Sequence, residues 1–213
     1  MGGFKVGSVG LVLVLANWDL HGVWFCFGAT PTGCSVQSTF IILPVAFCSK
    51  MRAAYCNPDG SVLDSNLNLY YADVVNDIVV ECNYASAYKS CTILEDFYPS
   101  GPQTIFVDST GNLWVSDNSC AGTVWKNGVV QYTVGDELEG IVLSNANPAK
   151  ALHTYVGDTG FCTNSAAHII DLTDRSSLPT PFNGPTHTAG ISTTLQFTAD
   201  TAIEKVYSVQ DLT

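Results

Sequence analysis

Charge is scarce in this chain. Of its 213 residues only 13% are charged, and they are one-sided: 8 Lys and Arg against 19 Asp and Glu leave a net charge of −11. Such a surface repels phosphate backbones, which argues against a nucleic-acid partner and suits cations, neutral sugars or small apolar ligands. Long apolar runs are also missing. Val9–Ala16 and Phe40–Cys48 are each too short to cross a bilayer, so no transmembrane span is expected. No segment sustains a 3.6-residue apolar period, which excludes a helical solenoid. The absence of any Cys-x-x-Cys pair removes the spacing that zinc ribbons and thioredoxin-type sites need. His153, His168 and His187 are scattered without metal-binding spacing, and no GxSxG, Walker or GxGxxG motif occurs. No Asn-x-Ser/Thr sequon is present, and Val6 stands where a myristoylation signal needs Ser or Thr.

Cysteine, by contrast, is plentiful. Eight cysteines are ordinary for an exported protein and many for a cytosolic one. Cys26/Cys34, Cys48/Cys56 and Cys82/Cys91 are close neighbours in sequence, and Cys120 and Cys162 remain. A disulfide framework is expected, although eight cysteines allow 105 connectivities and buried free thiols are the alternative. Residues 1–16 carry one Lys and then an apolar stretch, which predicts a signal peptide cleaved after Ala16 and a secreted protein. The alternative is that residues 1–50 form an irregular hydrophobic cap. Residues 17–62 then make a hydrophobic, Cys-containing segment before the repeats.

Those repeats carry most of the information. LDSNLNLYYAD (Leu63–Asp73) aligns without a gap on VDSTGNLWVSD (Val107–Asp117), at an offset of 44. A looser third copy is HTYVGD (His153–Asp158), and a fainter fourth is KVYSVQD (Lys205–Asp211). VWFCF (Val23–Phe27), one period earlier, is a candidate degenerate copy without the Asp. Within a copy, an apolar run, a turn and an aromatic strand are followed by Asn127-Gly128, a strong hairpin signal, and by VVQYTV. Four short strands in about 44 residues is the content of one β-propeller blade. The chain is therefore predicted to be all-β and propeller-like, with blades beginning near residues 63, 104, 141 and 191. Residues 18–60 are a further candidate, and the ring either closes with fewer than six blades or is incomplete. Tyr70, Trp114 and Tyr155 are expected to fill the layers between blades. Asp73, Asp117 and Asp158 are expected to bond turn amides at strand ends.

The pattern D-x-x-G-N-L-W-V-x-D, followed by G-I-x-L-S and T-Y-V-x-D-T-G, resembles gluconolactonase-like and NHL-type β-propellers. The resemblance covers residues 63–213. It implies a calcium ion in a central channel, held by loops that lead into the innermost strands. On this chain the family's ligand positions fall on Glu139 and Gln103, each replacing an Asn, while the loop Thr186–Ile191 has no Asp. Asp136, Glu137 and Glu139 form an acidic cluster, either a cation site or a solvated turn. His187 is the candidate acid or base, and Cys120 and Cys162 hold near-equivalent places in adjacent blades. The leading expectation is an exported, non-catalytic binding or structural propeller acting through its loop face or blade edges, with a protein partner or self-assembly. A calcium-dependent lactonase or esterase and a subunit of a larger assembly are the alternatives, and a small-molecule ligand is compatible with each.

Overall fold

The computed structural model describes residues 4–7, 10–17, 20–27, 37–97, 99–107, 111–117, 122–133, 140–143, 152–156, 168–171, 177–179, 185–190, 195–200 and 205–210. Five antiparallel sheets succeed one another along the chain, each with its strands in sequence order. The first contains β1 (Phe4–Gly7), β2 (Gly10–Asn17), β3 (Gly22–Phe27) and β4 (Gln37–Ile42). A short helix α1 (Val45–Cys48) leads to the second sheet, β5 (Pro58–Leu63), β6 (Leu69–Asp73), β7 (Ile78–Cys82) and β8 (Cys91–Ile93). The third is β9 (Pro102–Val107), β10 (Leu113–Asp117), β11 (Thr123–Lys126) and β12 (Val129–Thr133). The fourth is β13 (Gly140–Leu143), β14 (Leu152–Val156), β15 (His168–Asp171) and β16 (Ser177–Pro179). The last has three strands, β17 (Pro185–Gly190), β18 (Leu195–Asp200) and β19 (Lys205–Gln210).

The sheets pack face to face through their first strands. β1 and β2 lie on β5, β5 on β9, β9 on β13 and β17, and β13 on β17. This is a partial β-propeller with the first strand of each blade innermost. The blades begin at Pro58, Pro102, Gly140 and Pro185, up to six residues before the predicted starts, and a further blade precedes them. Phe4–Gly7 and Gly10–Asn17, which read as part of a leader, pair with each other in that blade, and Gly10–Asn17 also pairs with β3. Val23–Phe27 lies in its third strand, so VWFCF is not a copy of the second-strand repeat. The second strand is β2, and Asn17 ends it where the other blades place Asp.

The second strands of the second and third blades are buried on both faces, which is why they are apolar on both sides rather than alternating. β6 is LYYAD, with all but Tyr70 buried, and β10 is buried throughout. One layer, between the first two blades, holds Val23, Phe25, Leu63, Leu69, Tyr71 and Val80. The next holds Val62, Val79, Ile105, Leu113 and Val115, with Tyr70 and Trp125 packed against it. Trp114 is 2% exposed, as its place in the repeat predicts, whereas Tyr70 is only half-buried. Tyr155's side chain lies outside the described residues. Each side chain of this size stabilises the fold by about 1.5–3 kcal/mol on burial.

Asn127 and Gly128 both have positive φ, 48° and 78°, and they turn the chain between the paired residues Lys126 and Val129. That is the predicted hairpin. Cys48–Cys56 and Cys82–Cys91 are disulfides, and none of the described cysteines is free. The side chains of Cys26, Cys34, Cys120 and Cys162 lie outside the described residues. The second bridge joins directly opposed residues of β7 and β8. The first closes the segment that crosses from the first blade to the second, with Cys48 6% and Cys56 0% exposed. Replacing both Cys48 and Cys56 by Ala should cost roughly 2.5 kcal/mol, the entropy of freeing a loop of this size. The check is the urea midpoint, and a change below about 0.5 kcal/mol would show that the loop is held by its other contacts.

Two disulfides fit an extracytoplasmic protein. Among the described residues no helix is long and apolar enough to cross a membrane.

Candidate functional site

The loop face is built around the aspartate that ends the second strand of a blade. Asp73 is opposite Pro58, Asp117 opposite Pro102 and Asp200 opposite Pro185, and the register slips beside each pair. Proline suits this place because it has no N–H to donate to a ladder that is already broken. The Asp73 carboxylate is fully buried. Its Oδ2 accepts from the Asn57 amide at 2.9 Å, and its Oδ1 from the Asn76 amide at 3.1 Å and Asn76 Nδ2 at 2.9 Å. Burial raises its pKa above the usual carboxylate value, against the opposing pull of these hydrogen bonds. Asp117 is 3% exposed and accepts from the Thr123 amide at 2.9 Å. The repeat aspartates described thus bond turn amides, as predicted. Asp158 lies outside the described residues.

The fourth copy of the repeat is LQFTAD (Leu195–Asp200), not Lys205–Asp211. β18 is the second strand of its blade, and Lys205–Gln210 is the third. Spacing distinguishes them. Tyr70, Trp114, Tyr155 and Phe197 each precede their Asp by three residues, whereas Tyr207 precedes Asp211 by four.

At the start of the innermost strands, equal register places Asp59, Gln103 and Thr186 in corresponding positions, each after its proline. Asp59 is 2% exposed. The Gln103 Oε1 is buried without a hydrogen-bond partner. Between them the backbones nearly touch, and a Cβ on Gly60 would lie 2.1 Å from the Gln103 carbonyl oxygen. His187 occupies the register place of Thr104 in β17, one residue past Thr186, and its side chain lies outside the described residues. Glu139, immediately before β13, also lies outside them, as do Asp136 and Glu137. Carboxylate and amide oxygens are the donors a hard cation prefers, so the chemistry of Asp59 and Gln103 fits calcium. Among the described residues no group of three His, Cys, Asp or Glu side chains gathers as a metal site.

A second cluster faces outward. His21, which the sequence did not single out, sits exposed in the turn between β2 and β3 with φ of 50°. Its Nδ1 is 3.0 Å from the Cys56 carbonyl, and since a carbonyl only accepts, Nδ1 carries the hydrogen. Its ring lies 4.9 Å from that of Tyr55, and the Leu43 amide bonds its carbonyl. Around it Leu20, Ile42, Val45 and Tyr55 are 52%, 63%, 73% and 38% exposed. Nearby, Arg52 is paired with Asp77 at 2.8 Å and also bonds the Val75 carbonyl. No local motif marks His21. The signal was its place one turn after β2, visible only once β2 is read as a strand.

No protein-family model and no curated protein sequence matches the chain. Solved structures do. A streptogramin B lyase has a TM-score of 0.58 and 16% identity, over 99% of this chain and 68% of its own. A catalytically inactive virginiamycin B lyase from Staphylococcus aureus, solved with quinupristin, gives 0.58 and 14%, over 97% and 65%. A protein with an inferred gluconolactonase assignment gives 0.59 and 11%, over 94% and 71%. A protein of unknown function from Bacteroides thetaiotaomicron gives 0.64 and 13%, over 97% of this chain and 58% of its own. At these identities the likeness is one of fold, and it is to propellers longer than this chain.

Proposed function

We propose that this gluconolactonase-like propeller is an exported, non-catalytic binding module that works through its loop face and blade edges. The observation that supports this is where the polar groups of the loop face are engaged. Asp73, Asn76 and Asp117 hold turns, and Arg52 and Asp77 hold each other. What the face offers outward is His21 and Tyr55 beside aliphatic side chains, a surface suited to burial against a partner.

One observation favours a second reading, a calcium-dependent lactonase or esterase. The Gln103 Oε1 is buried without a hydrogen bond, and it corresponds in register to a buried carboxylate, Asp59. Glu139 would complete that donor set from the start of β13. Bound there, calcium would polarise a carbonyl and acidify a water. The neighbours named for lyase and gluconolactonase activity lend this reading a scaffold and no residue.

A calorimetric calcium titration separates the two. The binding-module reading expects heat equal to buffer dilution from the full chain and from Glu139→Gln, and no turnover of simple lactones. Micromolar binding that is lost in Glu139→Gln, with lactone hydrolysis abolished in Gln103→Leu, would overturn it.

A further inference from the structure

The hairpin tip of the third blade uses two residues that little else could replace. Asn127 and Gly128 have φ of 48° and 78°, the left-handed region that Asn tolerates and Gly adopts freely. A Cβ on Gly128 would also strike the Asp96 Cβ and stand 3.0 Å from the Asp96 carbonyl oxygen. Asn127 carries on the ladder between β10 and β11 with its side chain. Its backbone amide donates to the Leu113 carbonyl at 2.9 Å, and its Oδ1 accepts from the Leu113 amide at 2.8 Å. That fixes which end of the carboxamide is which, and Nδ2 donates to Asn112 Oδ1 at 2.9 Å. Asp at this place could not donate to Asn112, and Gly could make neither side-chain bond.

Asn followed by Gly is also a chemically labile pair, because no side chain shields the backbone nitrogen that follows the Asn. We infer that Asn127 is a self-modification site, a deamidation site that the fold holds closed until the hairpin tip opens. Once the carboxamide is released, the Gly128 backbone nitrogen attacks Asn127 Cγ. The Cγ–Nδ2 bond breaks, and ammonia leaves with the proton that Gly128 gives up. Water then opens the cyclic imide to aspartate or isoaspartate, and nothing is oxidised or reduced. The attack needs Cγ turned onto the Gly128 nitrogen, whereas Oδ1 and Nδ2 are held on Leu113 and Asn112. Asn127 is exposed, so these bonds restrain it and burial does not. Either product puts a carboxylate where Nδ2 met an acceptor, one residue from the contact with the exposed Asp96. Isoaspartate also adds a methylene to the turn between Lys126 and Val129, so the tip loosens as the protein ages. This goes beyond the binding-module reading and does not depend on it.

The test is ageing of the full chain at mildly alkaline pH, folded and in parallel unfolded in guanidinium chloride. Conversion at Asn127 is followed by peptide mass spectrometry and by chromatographic separation of the isoaspartyl form. The folded chain should convert about 30-fold more slowly than the unfolded one, because two ordinary hydrogen bonds must open first. Asn112→Ala removes the acceptor of Nδ2 and should speed conversion in the folded chain about fivefold. Exchange of the Leu113 amide reads the same opening without any substitution, since its acceptor is Asn127 Oδ1. It should rise in step with conversion as urea is added below the unfolding transition. Asn183-Gly184, the same dipeptide outside the described residues, is the yardstick in the unfolded chain. Conversion there while Asn127 stays intact would overturn the site. Equal rates in the folded and unfolded chains, or conversion that ignores both Asn112→Ala and Leu113 exchange, would overturn the restraint.

Discussion

Gly60→Ala should lower stability by about 3 kcal/mol, the upper end of what overpacking a well-packed core costs. The added Cβ would stand 2.1 Å from the Gln103 carbonyl oxygen and 3.1 Å from the Ile105 nitrogen. Both are backbone atoms of the neighbouring innermost strand, so no side-chain rotation relieves the clash. Either β5 or β9 must move, and each is fixed by its own blade. For a chain of this length the melting temperature should fall by roughly 6–12 °C. Urea unfolding monitored by tryptophan fluorescence is a suitable readout. A loss below about 1 kcal/mol would mean that the two inner strands separate easily.

Asp73→Ala is the second large effect. It removes the acceptor for the Asn57 amide, the Asn76 amide and Asn76 Nδ2, and both asparagines are buried. Stranded buried donors of this kind cost about 1–3 kcal/mol each, offset in part because the ionised carboxylate is itself costly to bury, so a net loss of about 3 kcal/mol is expected. Asp73→Asn keeps the shape and should lose about 1 kcal/mol at neutral pH. The pH dependence has a definite sign. Burial raises the Asp73 pKa above 3.8, so the folded protein holds this proton more tightly than the unfolded chain does. The carboxyl's contribution is then full below the ordinary value and is lost as pH rises through the folded pKa. Acidification through that interval should stabilise the wild type relative to Asp73→Asn. A gap between the two urea midpoints that does not change with pH would refute the raised pKa.

Much of the propeller was legible because a blade that buries both faces, as the second and third do, forces a repeat. An aromatic residue three before an Asp marks the second strand in four blades, and Asn127-Gly128 marks a hairpin. The innermost strands were harder to read. Pro58-Asp59-Gly60 has the composition of a turn, yet it opens β5, because the proline sits where the ladder is already interrupted and the glycine is required by β9. Asp59 was missed for that reason, and with it the residue that corresponds to Gln103. The first blade was obscured by its apolarity. GLVLVLAN looks like the core of a leader, and an apolar strand has the same composition. His21 was lost with it. The Cys48–Cys56 and Cys82–Cys91 bridges were visible as short spacings, although spacing alone does not choose among pairings.

The aspartate bonds also bear on how such a protein grows. Asp73 reaches Asn57, and Asp117 reaches the Ser100 amide at 3.5 Å, so each latch closes on the stretch leading into its own blade. Each of these latches fastens its own blade, and Asp77 adds a tie to the next one by accepting from the Gly101 amide at 2.9 Å. Tandem copying of one such unit adds a piece that is already locally closed, and the loops above it can diverge without loosening the strands below. Ring size then becomes a matter of how many units were copied, which is how propellers of different length come to share one blade design.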